Sequence, residues 1–222
     1  MSRRQLLRTG LGVVLGWNAL GLTLASAQPA EEAQPAPARS PLLASATAFV
    51  LAQPSEHPYS AVLDFSVPSR LPRFHVIERP TGTIVHSFLV AHGIGSEPED
   101  NDGIPEVFLD VVDSFASSLG LYRTDEVYMS PTEGNGLSMR LRGLSPTNSN
   151  AYKRLIVIHA QWYVEPEFVA LYGKAGRSDG CMVFSAADRD TVVELLRGGA
   201  LIYAVSSTAS MKDALGNRIP LA

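Results

Sequence analysis

Cys181 is the only cysteine in this chain of 222 residues. It closes the segment Gly176-Arg177-Ser178-Asp179-Gly180-Cys181, and His159 lies 22 residues upstream at the end of the apolar run Leu155-Ile156-Val157-Ile158. A lone thiol forms no internal disulfide. A thiol flanked by glycine and a histidine at a strand end are the parts of a thiolate nucleophile and its base. The thiolate attacks, not the thiol, so Cys181 needs donors or positive charge nearby, which His159 can supply as a general base or an imidazolium partner; Arg177 adds charge close by and either binds a substrate carboxylate or lies solvated. Gly180 removes side-chain bulk beside the sulfur and lets a carbonyl approach the backbone. Backbone N–H groups there suit a developing oxyanion. The competing reading of the same residues is a buried, inert thiol.

Elements must hold these residues. Pro41 to Ala52 carries Leu42, Leu43, Ala46, Phe49 and Val50 at helical spacing. Strand-like runs follow at 60–67, 73–78 and 83–91, then at 119–129, 136–141, 154–159 and 200–206. Short helices are expected at 166–172 and from a capping Ser185 to about Arg197. Residues 96–105 read as an acidic, solvated loop, and 106–118 are ambiguous, with part in helical pattern. Many short strands and few helices predict a mainly-β domain with a few short helices over 41–207, followed by a tail over 208–222.

The first 27 residues read as an export signal. Arg3, Arg4 and Arg8 precede an apolar stretch that ends at Ala25-Ser26-Ala27, a small-x-small cleavage site. Ser2-Arg3-Arg4-Gln5-Leu6-Leu7 resembles a twin-arginine signal. Residues 28–40 are rich in Pro, Ala and Gln and read as a linker. The expected location is the bacterial periplasm. Loss of three arginines leaves 15 basic against 22 acidic residues, a net charge of −7, which disfavours nucleic-acid binding. No later stretch is long and apolar enough to span a bilayer, so a soluble mature protein is expected.

Ile156-Val157-Ile158-His159 followed by Gly176-Arg177-Ser178-x-Gly180-Cys181 resembles the catalytic signature of the L,D-transpeptidases of peptidoglycan. Three more blocks, in order, resemble one branch of that family: Val90-Ala91-His92-Gly93 with Gly95-Ser96, then Ser117 to Tyr122, then Gly136 to Leu144. The resemblance implies an L,D-transpeptidase-like β-sandwich or barrel and acyl transfer through a Cys181 thioester. The donor would be a stem tetrapeptide that loses its terminal D-alanine, with His159 as base, the loop of Ser178 and Gly180 at the oxyanion, and no metal or organic cofactor. Water as acceptor would make an L,D-carboxypeptidase, and a non-catalytic peptidoglycan-binding relative is the other alternative. The chain departs from the branch at Ala160-Gln161, where Gly usually follows the histidine. It departs again at Asp179, usually aromatic, and at Met182, usually Pro. A carboxylate at 179 opposes thiolate formation unless Arg177 offsets it.

Other polar residues have two readings each. His92 either touches substrate or orients His159, or is a hydrogen-bonded strand-end residue. Arg140 and Arg142 share a strand face and suit stem-peptide carboxylates, or line an exposed face. Tyr122, Trp162 and Tyr163 form either a cleft wall or core.

Overall fold

The computed structural model describes residues 41–97, 100–207, 210–212 and 218–219; the expected signal and linker lie outside them. Three helices are α1 (Pro41–Ala52), α2 (Pro166–Tyr172) and α3 (Ala186–Leu196). The strands begin with β1 (Tyr59–Asp64), β2 (Phe74–Glu78), β3 (Thr83–Phe88), β4 (His92–Gly93) and β5 (Val107–Phe108). They continue with β6 (Gly120–Met129), β7 (Leu137–Gly143), β8 (Val157–Ala160), β9 (Arg177–Ser178) and β10 (Met182–Phe184). The last are β11 (Leu201–Val205), β12 (Ser210–Lys212) and β13 (Arg218–Ile219). The mainly-β expectation holds.

One eight-stranded sheet runs in the order β10-β8-β7-β6-β11-β1-β2-β3. Its inner face carries Leu63, Phe74, Tyr122, Met139, Ile158 and Phe184, on which Val192, Val193 and Leu196 of α3 pack. Alternation along each strand sends the neighbouring residues to the outer face. There α1 covers Val62, Ile77 and Leu201 through Leu43, Ala46 and Val50. At the other end of the same face Val183 packs with Val164 and Val169, from the 3-10 turn Trp162–Val164 and from α2. Between these two covers lie β6 and β7, whose outer face bears Arg123, Arg140 and Arg142.

The short helices start and stop for local reasons. Pro166 occupies the first turn of α2, where its missing N–H costs nothing, and Gly173 ends it at φ 71°. Ser185 caps α3, its hydroxyl accepting the Asp188 N–H at 3.2 Å. Ser185→Ala should cost about 1 kcal/mol, seen as a lowered thermal midpoint with the Cys181 thiol unchanged in reactivity.

Two segments that the sequence left open take definite form. Residues 106–118 form no helix; they hold β5 and then turns in which Asp113 (φ 61°) and Phe115 (φ 52°) are left-handed. The tail beyond 207 contributes β12, which pairs parallel with β5. Among the described residues no helix is long and apolar enough to cross a membrane.

Candidate active site

β8 forms because Ile156, Val157 and Ile158 are β-branched and suit a strand buried on both faces. β10 lies beside it in parallel, with Val183 opposite His159 and Met182 opposite Ile158. Cys181 precedes Val183 by two residues, so the alternation that sets Val183 on the outer face sets Cys181 there too. It packs with Val183, Val164 and Tyr163. On the far side β7 places Arg140 opposite Val157. Cys181, His159 and Arg140 therefore share one face of three adjacent strands. Met182 points into the core, and Ala160 is buried, so two of the three departures from the family pattern turn away from the thiol.

His159 is buried, and its Nδ1 lies 3.0 Å from the Ala160 carbonyl. A carbonyl only accepts, so Nδ1 carries the proton and Nε2 is left without one. Burial, with Arg189 nearby, holds the imidazole below its ordinary pKa.

The Cys181 thiol is partly buried and donates to the Leu155 carbonyl at 3.6 Å. Burial pushes it up to about 11, and Asp179 adds to the rise. The Val157 backbone and Arg154 oppose it. At rest this is a thiol, not a thiolate. The compensating cation is Arg154, not the expected Arg177, whose Nη1 is 3.3 Å from Glu97 Oε2.

The loop before the nucleophile is a Ser178 turn. Ser178 Oγ donates to the Cys181 carbonyl at 2.8 Å and accepts the Gly180 N–H at 3.2 Å. The Gly180 N–H, expected to face an oxyanion, is thus taken by a hydroxyl of its own loop. Gly180 itself is required: φ is +106°, and a Cβ there would stand 2.6 Å from the Ala116 carbonyl.

β4 and β9 pair His92 with Arg177 and link the loop to a buried charge chain. Arg73, fully buried, donates from Nη2 to His92 Nδ1 at 2.9 Å and to the Val90 carbonyl at 2.8 Å. His92 Nε2 faces Glu97 Oε2 at 3.4 Å, and Glu97 Oε1 accepts the Gly103 N–H at 2.6 Å. His92 has no exposed surface, so the expected substrate contact is replaced by a supporting one. Glu97 lies in the run expected to be solvated, yet its side chain is 1% exposed. Burial takes Arg73 down to about 9 and His92 down to about 4. Glu97 is raised by burial, but its bonds from His92 and the Gly103 N–H hold it lower overall.

The protein should lose stability in acid. His92 is neutral when folded and takes a proton near 6.5 when unfolded, so stability present above pH 6.5 is lost as pH falls toward 4. The depression corresponds to about 3 kcal/mol, and protonation of Glu97 adds in the same direction. Urea midpoints at pH 7 and pH 4.5 test it; equal midpoints contradict a buried neutral imidazole.

The remaining candidates separate. Arg140 pairs with Glu126 at 3.3 Å and lies over the rings of Tyr128 and Tyr152 at 4.7 and 5.6 Å. Tyr122 is core, its hydroxyl bonded to the Ser118 carbonyl, whereas Trp162 is 67% exposed and Tyr163 sits against Cys181. Among the described residues no group of three or more His, Cys, Asp or Glu side chains is arranged to hold a metal ion.

A family model described as the L,D-transpeptidase catalytic domain matches residues 41–205. The chain belongs to that family. Solved structures similar to it include an L,D-transpeptidase from Mycobacterium smegmatis, at 15% identity over 67% of this chain and 58% of that one, TM-score 0.39. Bd1075 of Bdellovibrio bacteriovorus is 15% identical over 66% of this chain and 47% of its own, TM-score 0.41. An L,D-transpeptidase from Xylanimonas cellulosilytica is 12% identical over 69% and 63%, TM-score 0.41. The chain thus covers less than two thirds of the length of each of these proteins. No curated protein matches the L,D-transpeptidase-family chain.

Proposed function

We propose that the protein is a cysteine acyltransferase of peptidoglycan, with Cys181 as nucleophile and His159 as base. The observation that carries this reading is the parallel pairing of β8 and β10, which gives Cys181 and His159 one face of adjacent strands. The tautomer of His159 supports it, because Nε2 is the nitrogen without a proton. On substrate entry the thiol leaves the Leu155 carbonyl and gives its proton to His159 Nε2. The sulfur attacks the carbonyl of the L-centre of the diaminopimelate-type residue in a stem tetrapeptide. The C–N bond to the terminal D-alanine breaks, and that amine departs with the proton from His159. The thioester is then taken by an amine of a second stem peptide, whose proton passes back through His159.

Arg177, partly exposed and steadied by Glu97, suits a substrate carboxylate, and Arg140 offers a second cation on the same face. The leader motif supports export to the periplasm as the place of action. A second reading, a peptidoglycan-binding relative without turnover, is favoured by one observation: the thiol is held protonated on Leu155 beside Asp179.

Intact-protein mass spectrometry after exposure to a carbapenem tests the proposal. A stoichiometric adduct on the protein, absent from Cys181→Ala, is the expected result. No adduct, together with a thiol slow toward iodoacetamide, would favour the binding reading. Incubation with a tetrapeptide alone, then with an added amine, separates hydrolysis from transfer.

A further inference from the structure

Arg154 stands three residues before the strand that carries His159, and its side chain is 3% exposed. Its guanidinium is directed at the backbone of 109–118. Nη1 donates to the Leu109 carbonyl at 2.8 Å and to Ser118 Oγ at 3.3 Å. Nη2 donates to Ser114 Oγ at 3.2 Å and to the Ala116 carbonyl, and Asp110 Oδ1 lies 3.6 Å from Nη1. That segment contains two of the four left-handed non-glycine residues among the described ones, Asp113 and Phe115. Such residues persist only where their surroundings over-determine them. The Ala116 carbonyl is also the group packed against Gly180, 2.6 Å from where a Cβ would stand. On the other side of Arg154 the next residue, Leu155, is left-handed at φ 58°, and its carbonyl receives the thiol.

We infer that Arg154 is a positioning residue for Cys181: it fastens the backbone on both sides of the thiol and sets a buried cation one carbonyl away from Gly180. The inference rests on Cys181 being the nucleophile. The charge that the sequence offers for this task, Arg177, is held by Glu97 instead. Arg154 is accordingly the cation that opposes Asp179 at the sulfur, easing thiolate formation during attack. The groups acting at the thiol are the Val157 backbone, Asp179 from its own loop, Arg154 and the Tyr163 phenol, while His159 lies on the neighbouring strand opposite Val183.

The test uses the whole protein, in which the single cysteine makes any thiol signal unambiguous. Iodoacetamide alkylation rates are followed from pH 7 to 10 for the wild type, Arg154→Met, Arg154→Lys and Cys181→Ala, with carbapenem acylation rates at pH 7.5. Below a midpoint of about 11 the alkylation rate scales with the thiolate fraction, so a midpoint raised by one unit reads as a rate lowered about tenfold at each pH. Arg154→Met should move the alkylation midpoint up by about one pH unit and slow acylation roughly tenfold or more. Arg154→Lys keeps the charge but lacks the planar fork that reaches several acceptors. It should hold the midpoint within about 0.3 unit while acylation slows about tenfold. A folded Arg154→Met whose profile overlays the wild type overturns the inference and leaves Arg154 a loop fastener. If Arg154→Met does not fold, Arg154→Lys decides, and wild-type acylation by it overturns the inference. A wild type that acquires no Cys181 adduct at all marks failure of the nucleophile reading instead.

Discussion

His159→Ala should slow acylation of Cys181 at pH 7 by roughly 10²–10⁴-fold, the range for loss of a positioned base, and the deficit should shrink as the pH rises toward 11. The reason is the resting state of the sulfur. With the thiol pushed up to about 11, only about one molecule in 10⁴ is a thiolate at pH 7 without help. The wild type bypasses that scarcity, because His159 is neutral at pH 7 and removes the proton as attack occurs. Its rate should therefore be flat from neutral pH upward and fall only in acid, as the imidazole takes a proton below its ordinary range. The variant lacks this route and should instead gain about tenfold per pH unit until the thiol ionises. Stopped-flow acylation across this range is the measurement. A deficit of constant size at every pH would mean that His159 shapes the site without acting as its base.

Arg73→Leu should destabilise the fold by about 3–5 kcal/mol, the usual cost of breaking a buried ionic cluster by removing one partner. The guanidinium is fully buried and serves the Val90 carbonyl twice, the Val67 carbonyl at 3.0 Å and His92 Nδ1 at 2.9 Å. Leucine fills part of the volume but satisfies none of these acceptors. It also leaves the Glu97 carboxylate without the cation behind His92. Against a typical total of about 5–15 kcal/mol, such a loss is a large fraction of the whole. The urea midpoint at pH 7 measures it. A loss below about 1 kcal/mol would mean that water reaches these carbonyls once the arginine is gone. Because Glu97 also holds Arg177, a folded Arg73→Leu protein should bind carboxylate substrates more weakly, read as a raised KM.

The helices were readable from 41–52, 166–172 and 186–196 because each carries a local signal: apolar spacing, an N-terminal proline, a serine cap. The strand that carries His159 was readable for a similar reason, its β-branched run, whereas the three-residue β10 that follows Cys181 is too short to show a pattern and was not expected. The support of the site was not readable either. Glu97 sits in an acidic run that looks like solvent-facing loop, and only the folding of β4 against β9 buries it beside His92. Arg154 looks like a strand-flanking charge, since its acceptors are carbonyls and hydroxyls 36 to 45 residues away in sequence. Nor does composition register a left-handed leucine. Cations that bind backbone leave no charge pattern in a sequence, so the residues that hold a site are harder to find than those that react.

The parallel pairing of β8 and β10 has a consequence for how this domain tolerates change. The link between the two strands carries the turn at Trp162–Val164, α2 and β9, yet Val183 stays opposite His159 by strand register, two residues from Cys181. At Gly173 an added Cβ would meet nothing within 4 Å, so residues inserted there should extend into open space with little effect on the register of β8 and β10. The crossover is thus a place where length and surface chemistry can vary, and new binding loops be grafted, while the reacting pair stays in register.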